Sequence, residues 1–340
     1  MPFRLDELAV PVIGAPMAGG PSTPALAAAV NRAGGLGFLA AGYRSADAMA
    51  DQIAELRKST DRPYGVNLFV PGPPGDRAAV AGYRERLRPE AERWGVALPE
   101  EIGPDRDDWE AKLAALLADP VPVVSYTFGL PTAAEAAALR AAGTLQVGTV
   151  TTPEEALAAE AAGMDALCVQ GPEAGGHRGT HRISDTPGEL PLLHLLPAVR
   201  AVTALPLIAA GGLGDGPAIA AALRAGAAAV QLGTALLRAD ESGTSAAHRA
   251  ALTERPETVV TRAFTGRPAR GLRNAFIDRH GPYAPPAYPE VHHLTAPLRA
   301  AAARRGDTDA MHLWAGTAHR LARPGAAERI IAELWGSARG

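Results

Sequence analysis

One histidine stands in a setting that could do chemistry. His177 lies in the stretch ALCVQGPEAGGHRGTHR, residues 166–182. The apolar run Ala166–Val169 reads as a buried strand. The chain then opens into a loop carrying Gly171, Gly175, Gly176 and Gly179. Glycine allows positive φ and close approach of backbone to a ligand. Imidazole exchanges a proton near neutral pH. A strand ending in such a loop is the usual layout of an α/β enzyme site. His177 and His181 share the H-x3-H spacing of helical zinc pairs. The intervening glycines disfavour a helix and no third ligand is evident, so no metal is expected.

Two more glycine-rich exits have the residues for anion binding. One is Ala209-Ala210-Gly211-Gly212, with a helix expected to start near Gly216. The other is Val230-Gln231-Leu232-Gly233-Thr234. Backbone N–H groups at such turns cradle phosphate, and the Thr234 hydroxyl adds a donor. Asn67 is an amide inside an apolar run and Gln170 one at the end of another. On a barrel mouth they would face a planar ring such as a flavin, which offers N–H and C=O groups in one plane.

The elements that must position these residues repeat as strand then helix. Strands are expected at 10–15, 36–41, 64–70, 121–128, 145–150, 166–170, 206–210 and 228–233. Helices close on Ala-Gly at 33–34, 142–143, 162–163 and 225–226, the usual left-handed cap. Eight such units over roughly 230 residues suit a TIM (β/α)8 barrel, with an open doubly wound sheet as the alternative. AGGLG occurs at Ala33–Gly37 and Ala210–Gly214; only the second follows a strand, so it is read as functional and the first as structural. Residues 71–120 are too long for one connection and hold two helical stretches, 77–94 and 107–118, one of them barrel helix three. After Leu237 the pattern changes. Helices are expected over 241–255, 258–263, 298–305, 309–315 and 326–335, with a basic turn at 266–273 and a proline-rich loop at 281–297 that carries His292 and His293 as surface or lid residues. The division expected is a barrel over 1–240, including the insert, and a mainly helical cap over 241–340.

The net charge is −3, which implies no general attraction to nucleic acid. Only Lys58 and Lys112 are lysines, so the many arginines reflect a chain-wide bias. No apolar run is long enough to span a bilayer. The start MPFRLDELAV lacks an export-signal layout, and a cytoplasmic protein is expected. The lone Cys168 falls in an apolar strand and is read as structural.

The motifs GAPMAGGPSTPALAAAV (14–30), GVNLFVP (65–71), QGPEAGGHRGTH (170–181), AAGGLGDG (209–216), QLGTALL (231–237) and TRAFTGRPARGLRN (261–274) occur in that order. In them the chain resembles the bacterial nitronate monooxygenases, formerly called 2-nitropropane dioxygenases, over nearly its full length. The resemblance implies an FMN-dependent TIM barrel with a helical second domain. It implies FMN contacts from Pro16, Met17, Ala18, Gly19, Asn67, Gln170, Gly175, Gly211, Gly212, Gln231, Leu232, Gly233 and Thr234. His177 matches the catalytic histidine, either as a protonated partner of the nitronate anion or as a base toward the neutral nitroalkane. The implied reaction oxidises an alkyl nitronate, such as propionate 3-nitronate, with O2 to a carbonyl product and nitrite. The implied partners are this small molecule and O2, with a homodimer as the candidate assembly. One departure is Thr317 after Trp314-Ala315-Gly316, where many relatives carry glutamine, which puts the substrate in question. The rival reading is an NAD(P)H-dependent FMN reductase acting on an enoyl thioester or quinone. A flavin-binding barrel without turnover is the third.

Overall fold

The computed structural model describes residues 3–340. Parallel strands β1 (Val12–Gly14), β2 (Gly37–Ala40), β3 (Tyr64–Phe69), β4 (Val123–Thr127), β5 (Leu145–Val150) and β6 (Ala166–Gln170) come first. A two-residue strand, β7 (Gly176–His177), follows, and then β8 (Leu207–Ala210) and β9 (Ala229–Leu232). Eight of them form one sheet in the order β1-β9-β8-β6-β5-β4-β3-β2. A parallel bridge between Ile13 and Leu36 joins the two ends, so the sheet closes into a TIM barrel. Strand residues such as Ile13, Phe38, Val123, Val147, Cys168 and Ile208 fill its interior, together with Phe3 and Leu5.

Helices α1 (Pro24–Arg32), α2 (Ala46–Arg57), α4 (Trp109–Ala118), α5 (Ala133–Ala141), α6 (Pro153–Ala161), α7 (Leu192–Arg200) and α8 (Gly216–Arg224) lie around the barrel, with α3 (Arg77–Trp94) between α2 and α4 in the chain. Their starts are locally encoded. Thr23, Ser45, Thr152 and Asp215 each cap an N-terminus with the side chain, and Thr132 with Glu135 makes a capping box. Their ends follow the Ala-Gly expectation: Gly34, Gly143, Gly163 and Gly226 all have positive φ. In the 71–120 segment, α4 buries Trp109, Leu113 and Leu116 in the barrel's core, so α4 is barrel helix three. The additional helix is α3, which packs on α11 (Glu290–Arg305).

A second core gathers Tyr83, Leu87 and Trp94 of α3 with residues from 237 to 315. It includes α9 (Ala246–Glu254), α10 (Ala275–His280) and α11, and strands β10 (Thr258–Thr261) and β11 (Ala269–Leu272). The last helix, α12 (Ala327–Arg339), packs instead on α8 and α1 and buries Ala327, Ile330, Ile331 and Leu334 in the barrel core. The two cores therefore divide the chain differently from a cut at residue 240.

Several local expectations change here. Within 258–263 the chain forms a strand over Thr258–Thr261 and no helix, as suits the β-branched run TVVT. The basic turn at 266–273 contains β11, which pairs with both β10 and β7 in an antiparallel sheet. Residues 309–315 run as a turn and an extended segment, with Trp314 bridged to Gly271. The proline-rich stretch becomes helical from Glu290, with Pro297 inside α11.

Candidate active site

A cavity of about 380 Å³ lies at the carboxyl ends of the barrel strands and reaches beneath the second core. That size falls within the range of small-ligand sites, about 300–1,000 Å³. Its lining includes His177 and all of the residues expected at the cofactor except Leu232. Leu232 is buried in the core, and its carbonyl accepts from the Ala15 N–H at 2.9 Å. Of the two AGGLG copies, residues 210–214 line the cavity and residues 33–37 do not.

The histidine loop is pinned and not free. Ala269 pairs with His177 and Arg270 with Gly176. The Gln170 side chain spans the loop: its Nε2 donates to the His177 carbonyl at 2.9 Å, and its Oε1 accepts from Gly179 N–H at 2.8 Å. The Gln170 amide thus orients the loop. The His177 ring meets Phe128, Tyr288 and Trp314 at 5.5, 5.9 and 5.4 Å between centroids. Its Nε2 lies 2.9 Å from the hydroxyl of buried Thr265. That hydroxyl donates onward to the Arg267 carbonyl at 3.3 Å. The relay assigns the imidazole proton to Nε2 and the basic lone pair to Nδ1. Burial, then the positive charges of Arg267 and Arg299, pull the His177 pKa down to about 3. The ring is therefore uncharged at neutral pH in the structure as it stands.

His181 has a different task. Its Nε2 meets the Thr149 carbonyl at 3.0 Å, and its N–H donates to Glu155. Cys168 lines the cavity and is buried, with burial raising its thiol pKa to about 12, so it is no nucleophile. His292 stacks on Tyr43 at 4.1 Å, while His293 meets Asp105 at 2.8 Å.

The two glycine-rich exits form a cradle of unpaired donors. Among the described residues, the backbone N–H groups of Gly212, Leu213, Gly233 and Thr234 have no protein acceptor. Gly212 sits at φ 72°, a conformation in which a side chain is strained. Thr234 Oγ1 accepts from Gly316 N–H at 2.9 Å, which leaves its own proton to donate. The start of α8 is not part of the cradle, because the Asp215 carboxylate caps it. The donors instead lead into a short 3-10 turn over Thr234–Leu236. Asn67 donates from Nδ2 to Ser125 and Thr127 at 2.9–3.2 Å, which leaves Oδ1 as the free acceptor on the cavity wall. The Pro16–Gly19 loop is fixed by Ser22, whose hydroxyl accepts from Met17 N–H at 2.8 Å.

The profile of the nitronate monooxygenase family matches residues 3–336. The chain belongs to the nitronate monooxygenase family. It is 39% identical over 333 residues to a probable nitronate monooxygenase of Staphylococcus saprophyticus, covering 94% of this chain and 92% of that one. Its fold is similar to that of the nitroalkane oxidase from Streptomyces ansochromogenes, with a TM-score of 0.95 and 53% identity over 98% and 97% of the two chains. FabK from Thermotoga maritima is more distant, with a TM-score of 0.72 and 28% identity over 98% and 94%. The chain is thus an oxidoreductase of the nitronate monooxygenase family.

Within that family frame, the segment Leu313–Thr317, whose Thr317 stands out in the sequence, is an extended strap rather than the end of a helix. Leu313 accepts from Leu272 N–H, Ala315 N–H donates to Arg270, and Thr317 N–H donates to Glu173. The strap thereby joins β11, the Thr234 exit and the histidine loop. Thr317 itself is exposed and does not line the cavity, whereas Trp314 and Gly316 do. Thr265, Phe128 and Tyr288 were missed in the sequence. Only the aromatic side chains beside a glycine or proline at 128–129 and 288–289 offered any signal.

Proposed function

We propose that the chain oxidises alkyl nitronates, propionate 3-nitronate among them, with FMN as the cofactor and O2 as the oxidant, giving a carbonyl product and nitrite. The observation that carries this reading is one cavity joining a neutral histidine to a cradle of unpaired backbone donors. The cradle at Gly212, Leu213, Gly233 and Thr234 suits a phosphate group. Asn67 Oδ1 and the Gln231 side chain suit the N–H and C=O edge of a flavin ring. FMN bound there would supply the electron acceptor for the organic substrate and return those electrons to O2.

The chain's own residues do the rest. Phe69, Phe128, Tyr288 and Trp314 wall the region around His177 with aromatic surface, which excludes bulk water. Thr265 and the loop pairing hold the imidazole in one tautomer and one place. His177 Nδ1 accepts the α-proton of a neutral nitroalkane, or hydrogen-bonds a nitronate that arrives already ionised.

The test is anaerobic mixing of the purified flavoprotein with propionate 3-nitronate, and separately with NADPH and NADH. Bleaching of the flavin by the nitronate and by neither nicotinamide is expected. Bleaching by a nicotinamide alone would replace this reading with the NAD(P)H-dependent reductase, which the likeness to FabK keeps in the comparison.

A further inference from the structure

Two buried guanidinium groups behind the cavity wall have no counter-charge; buried Arg178, beside the histidine loop, is a third, but it is tied to the Gly171 and Gly188 carbonyls. Arg267 is 2% exposed and Arg299 8%. Arg267 donates to the Thr180 carbonyl at 2.6 Å and to its hydroxyl at 3.4 Å, and its Nε has no partner. Arg299 donates to the Thr295 hydroxyl at 3.0 Å and the His292 carbonyl at 2.7 Å, and approaches His292 Nδ1 at 3.3 Å. Among the described residues, neither has a carboxylate within 4.0 Å. The contrast is Lys112, which is 1% exposed and paired with Asp107 at 2.8 Å. A buried charge without a partner is costly, so the interior ordinarily pairs it.

Neither arginine lines the cavity; each stands behind its wall, at Phe128 and Tyr43. The Arg267 guanidinium carbon sits 4.1 Å over the Phe128 ring and 5.8 Å from that of Tyr288. Both rings contact His177. Arg299 reaches the same wall through His292, which stacks on Tyr43. Among the described residues, Glu173 is the only acidic one in the cavity lining, and its carboxylate oxygens accept from Leu192 N–H at 3.2 and 3.3 Å.

We propose that Arg267 and Arg299 are the charge complement of an anionic substrate, positioning residues that hold the nitronate by through-space attraction while His177 stays neutral. The inference rests on the nitronate reading above. It divides binding from proton transfer: the arginines select the anion and the imidazole keeps a free lone pair. The lowered pKa of His177, to which both arginines contribute after burial, agrees with this division. The purely architectural alternative is that Arg267 only ties residue 180 to the second core.

The test uses the FMN-loaded enzyme and the variants Arg267→Met, Arg267→Lys and Arg299→Met. In this poorly solvated wall, one lost charge should raise KM for propionate 3-nitronate by roughly tenfold. The kcat should stay within about threefold, and Arg267→Lys should recover most of the loss. Nitrate, a planar anion resembling the nitro head, is titrated against the flavin spectrum as an activity-free readout. Its Kd should weaken by a similar factor in either Met variant. Unchanged KM and nitrate affinity in both Met variants overturns the proposal. So does an equal loss of kcat in the Met and Lys variants, which is the signature of a structural tie. If Arg267→Met fails to fold, Arg299→Met and Arg267→Lys decide. A wild type that binds nitrate but oxidises no nitronate removes the functional reading alone; one that binds no nitrate overturns the charge proposal.

Discussion

Gly175→Ala is the sharpest probe of how the histidine loop is held. A Cβ at Gly175 would lie 2.5 Å from Gly316 N, 2.6 Å from the Ala315 carbonyl carbon and 2.9 Å from its Cα. All three are backbone atoms of the strap, so no side chain can swing away. Ordinary contact begins at 3.4 Å, which requires the loop and strap to part by about 1 Å. The strap is fastened by Gly316 N–H to Thr234 at 2.9 Å and Thr317 N–H to Glu173 at 3.0 Å. Parting them strains or breaks one such bond. Overpacking of this kind costs about 1–3 kcal/mol, and a hydrogen bond adds about 1 kcal/mol. A Tm drop of roughly 4–8 °C is expected. His177 is two residues away, and a misplacement of about 1 Å can cost up to ~100-fold in rate. The assay is differential scanning calorimetry beside steady-state nitronate oxidation, with Gly316→Ala as the reciprocal variant, since its Cβ would meet the Glu173 carbonyl at 2.6 Å. The double variant should lose less than the two losses combined, because both crowd one gap. A Gly175→Ala protein with Tm within about 1 °C of wild type and unchanged kcat/KM would refute the close approach.

Other outcomes follow from the same site. Thr265→Val removes the partner of His177 Nε2 and should lower kcat by roughly tenfold, about 1.4 kcal/mol, with little change in flavin content; an unchanged kcat would show that the relay does not set the tautomer. His177→Ala should keep the flavin spectrum and lose most nitronate oxidation, and full activity would remove His177 from the chemistry. Gly212→Asp should weaken FMN affinity more than about tenfold in a fluorescence titration of the apoprotein, through backbone strain and repulsion of phosphate by the added carboxylate; equal affinity would sink the cradle. Acid should destabilise the fold early. Burial holds His177, His248 and His292 down to about 3, 4 and 2, so the unfolded chain alone takes up protons below about 6.5. Their contribution is complete above that pH and falls by about 1.4 kcal/mol per pH unit for each histidine below it. Asp107, raised by burial to about 6, has the opposite sign and offsets one such proton between about 6 and 4. A urea midpoint that stays constant from pH 7.5 to 5 would contradict this account.

The barrel was legible because its signals are short-range. A capping side chain and an Ala-Gly ending are each read within one helical turn, and the α3 limits at residues 77 and 94 agree with the sequence expectation. The cavity-lining glycines were legible for the same reason: they lie at strand exits. The second core is less legible: TVVT, with a helical local context, forms a strand, and residues 309–315 form a turn and an extended segment. Local propensity there competes with a three-stranded sheet whose partners are far apart in the chain.

The amino-acid sequence by itself determined the alternation that closes the barrel, the glycine exits that supply free N–H groups, and the one histidine in a loop. These depend on periodicity, capping and backbone freedom, all properties of neighbours in the chain. The tertiary structure decided what surrounds that histidine. Thr265 reaches it across 88 positions in sequence; Arg267, Tyr288 and Trp314 come from the second core; and β7 exists only because β11 lies beside it. Whether His177 is charged, which nitrogen holds its proton, and where Thr317 points are consequences of burial and long-range packing. No spacing rule encodes them, because the electrostatic environment of a side chain is set by what folding places around it.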